Sequence, residues 1–241
     1  MPELNRLHAQ PLKVKPGKPR VCIISAWNEK YAPLAEIAIP NFVAYGAKHG
    51  YAVRGFPGEY HEDPSRPETF GDKAKFQFYH DVRGHCDIVC WLDIDSLFMN
   101  HDTCIEDKIG FMPGQIGPGF SYFNSFWYTY DENGPLSGLW IARTDGKTEH
   151  DLRYCYEHAA IENNVRHGKI EPNGISDQDM MTRLMNVPPF SRTFGDTCFP
   201  AKPSGHCYPE NYEDGDWIVT FPGRPIEERL NLMKEYAARV R

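Results

Sequence analysis

The chain has 241 residues, with 26 Lys and Arg against 33 Asp and Glu, a net charge of −7 at pH 7. That length is enough to bury one large core, and a dispersed acidic balance argues against nucleic acid or an anionic membrane as the main partner. No stretch approaches the ~20 apolar residues of a membrane helix, and the polar residues 1–19 hold no apolar run of signal-peptide length, so they read as an N-terminal arm and the chain is expected to act in the cytoplasm.

Val21–Ser25 is a compact apolar strand of the buried, parallel kind. It runs into Ala26-Trp27-Asn28, where Asn28 is suited to cap a helix and Glu29 to sit in a first turn. Leu34, Ile37, Ala38, Phe42, Tyr45 and Ala47 share one face of a helix reaching about His49. Pro33 suits its start, Pro40 is expected to kink or split it, and Gly50 to stop it. Tyr51–Phe56 is a second strand, and the three elements form a β-α-β unit. After a loop over 57–71, Asp72 is expected to cap a helix to about Arg83, with Phe76, Tyr79 and Val82 inward.

Ile88–Leu92 is a short buried strand ending in Asp93-Ile94-Asp95. Beyond it, residues 102–119 are rich in Gly and Pro, and Phe120–Tyr130 is aromatic with poor strand periodicity. Leu136–Arg143 reads as a strand carrying Gly138, where a ligand or another backbone can approach closely or a bulge can form. Helices are expected over 151–163 and 180–185, the second capped by Ser176-Asp177-Gln178-Asp179; residues 187–210 read as loop. Asp216–Phe221 is a last strand, and 226–240 an amphipathic terminal helix. The seven cysteines include no Cys-x-x-Cys pair, which argues against a zinc ribbon and fits a reducing compartment; one disulfide near Cys198 and Cys207 stays open. The expected architecture is one α/β domain over 20–224, a central mixed, mostly parallel sheet between helices, with 225–241 as a terminal helix packed on it.

The chemistry concentrates at Asp93 and Asp95. Two carboxylates at a strand's C-terminal end repel each other, a divalent cation relieves that repulsion, and ligands of open α/β sheets sit at such ends.

Lys73, Trp91-Leu92-Asp93-Ile94-Asp95, the Ser137-Gly138…Ile141-Ala142-Arg143 strand, Asp177-Gln178-Asp179 and Gly215–Gly223 stand in a recognisable order. Together they resemble the nucleotide-sugar glycosyltransferases of the GT-A fold. The nearest likeness is to the retaining galactosyl/mannosyltransferase group that includes fungal Golgi mannosyltransferases and plant xyloglucan xylosyltransferases. Asp-Gln-Asp is similar to the glycogenin and bacterial lipopolysaccharide galactosyltransferase group. The resemblance spans about residues 20–223 and implies a donor such as a UDP-sugar or GDP-mannose, a glycan or glycoconjugate acceptor, and Mn²⁺ or Mg²⁺ on Asp93 and Asp95. By the same resemblance Ser25, Ala26, Trp27 and Asn28 form the base-binding wall. Tyr31, Lys73, Ile94, Ser137, Gly138, Gly223 and Arg224 lie around the nucleotide sugar, and Asp177, Gln178 and Asp179 around the transferred sugar. Gln178 is a poor nucleophile, which favours a front-face retaining transfer with Asp179 in reserve.

Two positions depart from the pattern. The family's closing His-x-x-Gly supplies a metal-binding His, and here Thr220 stands in its place, with His206 of the preceding loop as a substitute. Ser137 replaces the usual Asn or Asp before the sugar-site glycine. Two other readings compete: a non-catalytic nucleotide-sugar-binding protein of the same fold, and a haloacid-dehalogenase-type phosphohydrolase, which also ends an apolar strand in Asp-x-Asp. Because most eukaryotic relatives of this look are Golgi-anchored, a soluble catalytic domain of that kind is the alternative to a cytoplasmic enzyme.

Overall fold

A strand that is apolar at all but one position needs cover on both faces, and Val21–Trp27 (β1), with every residue buried, obtains it. A computed structural model describes residues 18–58, 74–108, 126–131, 134–144, 198–202 and 205–240. β1 leads through a 3-10 turn, Glu29–Tyr31, into helix α1, Ala32–His49, and then β2, Ala52–Pro57. The expected β-α-β unit is therefore present: β1 pairs in parallel with β2 on one side and with β3, Ile88–Leu92, on the other.

Strand alternation divides the core between two helices. Val21, Ile23 and Trp27 of β1 and Ile88, Cys90 and Leu92 of β3 share a cluster with Leu34, Ala38, Phe42 and Tyr45 of α1. Each fully buried Val, Leu, Ile or Phe among them contributes roughly 1.5–3 kcal/mol. The other face carries Trp91, stacked between Phe78 of helix α2, Ala74–Val82, at 6.4 Å and Trp140 at 6.1 Å between centroids. α2 is fixed there by the Tyr79 hydroxyl, which donates to the Arg143 carbonyl at 2.8 Å.

Pro40 does not split α1. It lies on the exposed side, as does Glu36, whose carbonyl loses its helical partner and stays within reach of water. Gly50 closes α1 as expected, in the left-handed region at φ 84°, with its N–H on the Gly46 carbonyl at 2.8 Å.

The six-stranded sheet runs β2-β1-β3-β6-β5-β7, where β5 is Phe126–Asp131, β6 Gly134–Arg143 and β7 Cys198–Pro200. β6 is antiparallel to β3 and to β5, and β7 is parallel to β5, so the sheet is mixed. A second sheet, β4-β9-β8, joins Ser96–Phe98, Ile218–Thr220 and His206–Cys207. β7 and β8 form where the sequence reads as loop; strands of two or three residues are too short to show a period. Buried Asn41 of α1 holds the small sheet: its amide donates to the Phe98 carbonyl at 2.9 Å and accepts from the Phe98 N–H at 2.8 Å.

After a single turn, α3 (Ile105–Lys108), the terminal helix α4 is Ile226–Ala237; it packs on α1 and buries Met233 and Tyr236. Among the described residues no helix is long and apolar enough to cross a membrane. Cys207 is a free thiol, so the bridge left open with Cys198 is not formed; burial pushes it up to about 12.

Candidate functional site

The apolar run of β3 ends at Leu92, and the chain turns through Asp93-Ile94-Asp95 into β4. This turn joins the two sheets. The Asp93 N–H donates to the Gly138 carbonyl of the large sheet at 2.8 Å, and the Asp95 carbonyl accepts from the Phe221 N–H, next to the small sheet, at 2.9 Å. Both carboxylates are thereby held from the backbone outward, at the C-terminal end of a central strand.

They line one cleft of about 170 Å³ with Ala26, Tyr31, Lys75, Trp91, Ile94 and Arg229. The space is below the roughly 300 Å³ of a typical whole-ligand pocket and suits a diphosphate or a single sugar ring. Asp93 is met from α2. Lys75 Nζ lies 3.0 Å from its Oδ1, and the Trp91 indole N–H donates to the same oxygen at 2.6 Å. Lys75 is 4 % exposed, sits 5.2 Å from the Trp91 ring centroid and donates to the Ser137 carbonyl at 3.4 Å. Asp95 is met from α4. Arg229 Nη1 donates to its Oδ2 at 2.9 Å, while Arg229 Nε donates to the Arg224 carbonyl at 2.7 Å. The Arg229 guanidinium carbon lies 5.8 Å from the Tyr31 ring centroid.

Asp95 is 8 % exposed. Burial, reinforced by the negative charge of Asp93, pushes its carboxyl up to about 6, against the pull of Arg229 and Lys75. That is the signature of a carboxylate whose charge needs more compensation than it has. The donor set suits a hard divalent cation of the Mg²⁺ or Mn²⁺ kind, which is held by one or two carboxylates and completed by substrate phosphates and water. Among the described residues no group of three or more His, Cys, Asp or Glu could cage a metal on its own.

Thr220 and His206, expected as further ligands, lie together but are otherwise engaged. His206 is 1 % exposed, with Nδ1 2.7 Å from the Thr129 hydroxyl and Nε2 3.0 Å from the Thr220 hydroxyl, which in turn is 2.8 Å from that of Ser96. This buried chain ties β5 to all three strands of the small sheet.

Of the expected nucleotide-sugar residues, Ala26, Tyr31, Asp93 and Ile94 line the cleft. Ser25 is buried, its hydroxyl without a partner among the described residues. The Trp27 ring is buried against Gly55, and Asn28 caps the 3-10 turn by accepting from the Tyr31 N–H at 3.3 Å. Gly138 lies against Asp93: an added Cβ would stand 3.2 Å from Asp93 Oδ2. It also falls in a bulge, since β5 pairs Tyr128 with Trp140 and Thr129 with Leu136, leaving Ser137, Gly138 and Leu139 unpaired on that side. Gly223 is exposed in the turn that follows β9, and the Arg224 side chain is engaged by Glu210 and Glu228. Lys73, Asp177, Gln178 and Asp179 lie outside the described residues.

Sequence reasoning missed Lys75 and Arg229. A signal for each was present. Lys75 leads the stripe Lys75, Phe78, Tyr79, Val82, and Arg229 leads Arg229, Met233, Tyr236; both are helical i, i+3/i+4, i+7 spacings that place a cation on a buried face.

No family profile matches the sequence, nor does any curated protein. Solved structures match in fold. A glycosyltransferase involved in the glycosylation of the major capsid of PBCV-1 superposes with a TM-score of 0.62 at 14% identity, over 90% of this chain and 100% of that one. The galactosyltransferase LgtC, in complex with donor and acceptor sugar analogs, gives a TM-score of 0.51 at 14% identity, over 91% of this chain and 96% of that one. The glycosyltransferase GlyE of Streptococcus pneumoniae TIGR4 gives 0.51 at 11% identity, over 91% of this chain and 60% of that one. The likeness is one of fold: this chain has the GT-A-like α/β architecture of these proteins.

Proposed function

We propose that the chain is a metal-dependent glycosyltransferase that moves a sugar from a nucleotide-sugar donor to a glycan or glycoconjugate acceptor with retention of anomeric configuration. The observation that carries this reading is the cleft at the C-terminal end of β3, where Asp93 and Asp95 meet Lys75 and Arg229 on a fold shared with sugar transferases. Asp93 and Asp95 would hold Mn²⁺ or Mg²⁺. When bound, that ion supplies Lewis-acid compensation for the charge that develops on the leaving diphosphate.

The chain's own residues supply the rest. Lys75 and Arg229 bring positive charge to the diphosphate from opposite sides, without reorganisation at the moment of cleavage. Trp91 and Gly138 keep the Asp93 carboxylate in one orientation. Ala26 and Tyr31 form the wall towards the end of β1 and receive the donor's nucleoside end. Asp177, Gln178 and Asp179 belong in this reading beside the transferred sugar, where Gln178 stabilises the reacting centre and the leaving phosphate takes the acceptor's proton. The donor is a UDP-sugar or GDP-mannose.

A thermal-shift panel of UDP- and GDP-sugars with Mn²⁺, Mg²⁺ or EDTA tests the proposal. At least one nucleotide sugar should raise the unfolding temperature with metal and not with EDTA; if none does, the donor site is misassigned. A second reading, a non-catalytic nucleotide-sugar-binding protein, draws on Thr220, whose hydroxyl stands where the resembled family places a metal-binding ring and is committed to Ser96 and His206. Donor binding with no metal-dependent hydrolysis or transfer would favour it.

A further inference from the structure

The two carboxylates of the cleft and its two cations, Lys75 and Arg229, sum to zero formal charge. Asp95 is too buried to stand ionised without a cationic partner, and Arg229 is that partner. The two pairs are not equivalent. Lys75 is fixed by the Trp91 ring and the Ser137 carbonyl as well as by Asp93. Arg229 also lies near a ring, 5.8 Å from the Tyr31 centroid, but it is anchored along one edge only, Nε to the Arg224 carbonyl, and its side chain is 15 % exposed at the cleft against 5 % for Lys75. A guanidinium fixed in this way presents a planar fork suited to phosphate oxygens.

From this we propose that Arg229 is an exchange latch. In the ligand-free chain it holds the Asp95 carboxylate; it passes to the diphosphate of the donor when a divalent cation takes that carboxylate. The proposal rests on the donor-site reading above. Its physical basis is charge matching. A divalent cation arriving alone must displace Arg229 and leave it uncompensated. A nucleoside diphosphate arriving alone adds negative charge beside both aspartates. When the two arrive together, each takes one member of the Arg229–Asp95 pair and the cleft stays near neutrality. The site therefore couples the two ligands, each raising the affinity of the other by the same factor.

The test is Arg229→Gln, read by binding rather than turnover: Mn²⁺ alone by the electron-spin-resonance signal of the free ion, and UDP and GDP by calorimetry with and without Mn²⁺. An arginine beside an aspartate lowers its affinity for a proton by roughly 10- to 1,000-fold, and a metal ion competes against the same field. Arg229→Gln is thus expected to raise affinity for Mn²⁺ alone by at least about tenfold. It should weaken the diphosphate in the presence of Mn²⁺ by roughly 10- to 100-fold, the worth of a hydrogen bond to a charged group. Arg229→Lys, which keeps the charge, should leave Mn²⁺ affinity near that of the parent chain and weaken the diphosphate less. In the unsubstituted chain, saturating UDP or GDP should tighten Mn²⁺ by at least about tenfold, a measurement that does not depend on the variant folding. A purely structural ion pair would weaken both ligands together or neither. If UDP or GDP binds with Mn²⁺ but Arg229→Gln does not tighten Mn²⁺ alone, or the two ligands bind independently in the unsubstituted chain, the latch is overturned while the donor site stands. If neither nucleotide binds with Mn²⁺, both fall.

Discussion

Two polar clusters flank the junction of the large and small sheets, and they differ in what each leaves open. At Asp93 and Asp95 the groups are charged, drawn from α2 and α4, and gathered around a cleft of about 170 Å³. At His206 the groups are an imidazole and three hydroxyls, from Thr129, Thr220 and Ser96, hydrogen-bonded to one another and buried. Asp95 and Ser96 are adjacent in sequence, so one peptide bond separates an open charged site from a closed hydrogen-bonded one. A buried polar network that satisfies its own members spends its interactions on the fold. A carboxylate pushed upward by burial retains an unmet demand for positive charge that a ligand can answer. In the proposed function, the contrast gives binding to the first cluster and positioning to the second.

The strongest way to break that assignment is Asp95→Asn. Donor cleavage should fall by roughly 10²–10³-fold, the usual loss when a group aimed at developing charge is removed. Stability should change far less than activity. The raised Asp95 carboxyl marks a charge that the folded state bears at a cost; a neutral amide relieves it, which offsets the loss of the ion pair to Arg229, a side chain that keeps its bond to the Arg224 carbonyl. Activity assays paired with thermal unfolding check both halves. An Asp95→Asn chain that unfolds many degrees lower yet cleaves donor at the parent rate per folded molecule would reverse the two roles.

His206→Ala sharpens the comparison from the other side. It leaves the Thr129 hydroxyl without its ring, at about 1–3 kcal/mol for a buried group left unpaired, and opens a void where the ring packed, while Thr220 keeps Ser96. The expected loss is ~2–4 kcal/mol, read as a fall in urea midpoint. Mn²⁺ affinity and donor turnover per folded molecule should stay within about threefold of the parent, since the network spends its hydrogen bonds within the fold and lends no side chain to the cleft. A stable chain that loses Mn²⁺ would make His206 a ligand and remove the distinction.

These two clusters also mark where the sequence was legible. The β1-α1-β2 unit and β3 were, because buried strands and an amphipathic helix write periods of 2 and 3.6 into the chain. Asp93 and Asp95 were, because paired carboxylates ending an apolar run conflict with burial and so stand out. β4, β7 and β8 were not: two or three residues carry no period, and their pairing is decided by long-range partners such as Asn41 on Phe98. His206 and Thr220 were found as a pair of candidates, but their commitment to Thr129 and Ser96 depends on strands brought together from positions up to 124 residues apart. Lys75 and Arg229 were hidden differently. Charged residues on helices are ordinarily solvated, and only their place at the head of an apolar stripe separates them from the rest.

The smallest expected effect tests how finely the open cluster is held. At Gly138 an added Cβ stands 3.2 Å from Asp93 Oδ2, closer than ordinary van der Waals contact, so in Gly138→Ala either the carboxylate or the strand gives by a few tenths of an ångström. The strand is constrained: the Gly138 carbonyl accepts from the Asp93 N–H, and Leu139 is in register with Leu92. The carboxylate is the softer element, tethered by Lys75 and Trp91 at side-chain atoms only. The displacement should therefore appear at the ligand and hardly at all in the fold. We expect donor affinity with metal to fall by about three- to tenfold and stability by about 1 kcal/mol or less, at the low end for added bulk because the cleft side is open. Calorimetric donor titration beside urea unfolding measures the two on one sample. Equal losses in binding and stability would place the constraint in the β3–β6 pairing; a loss confined to binding places it in the orientation of Asp93.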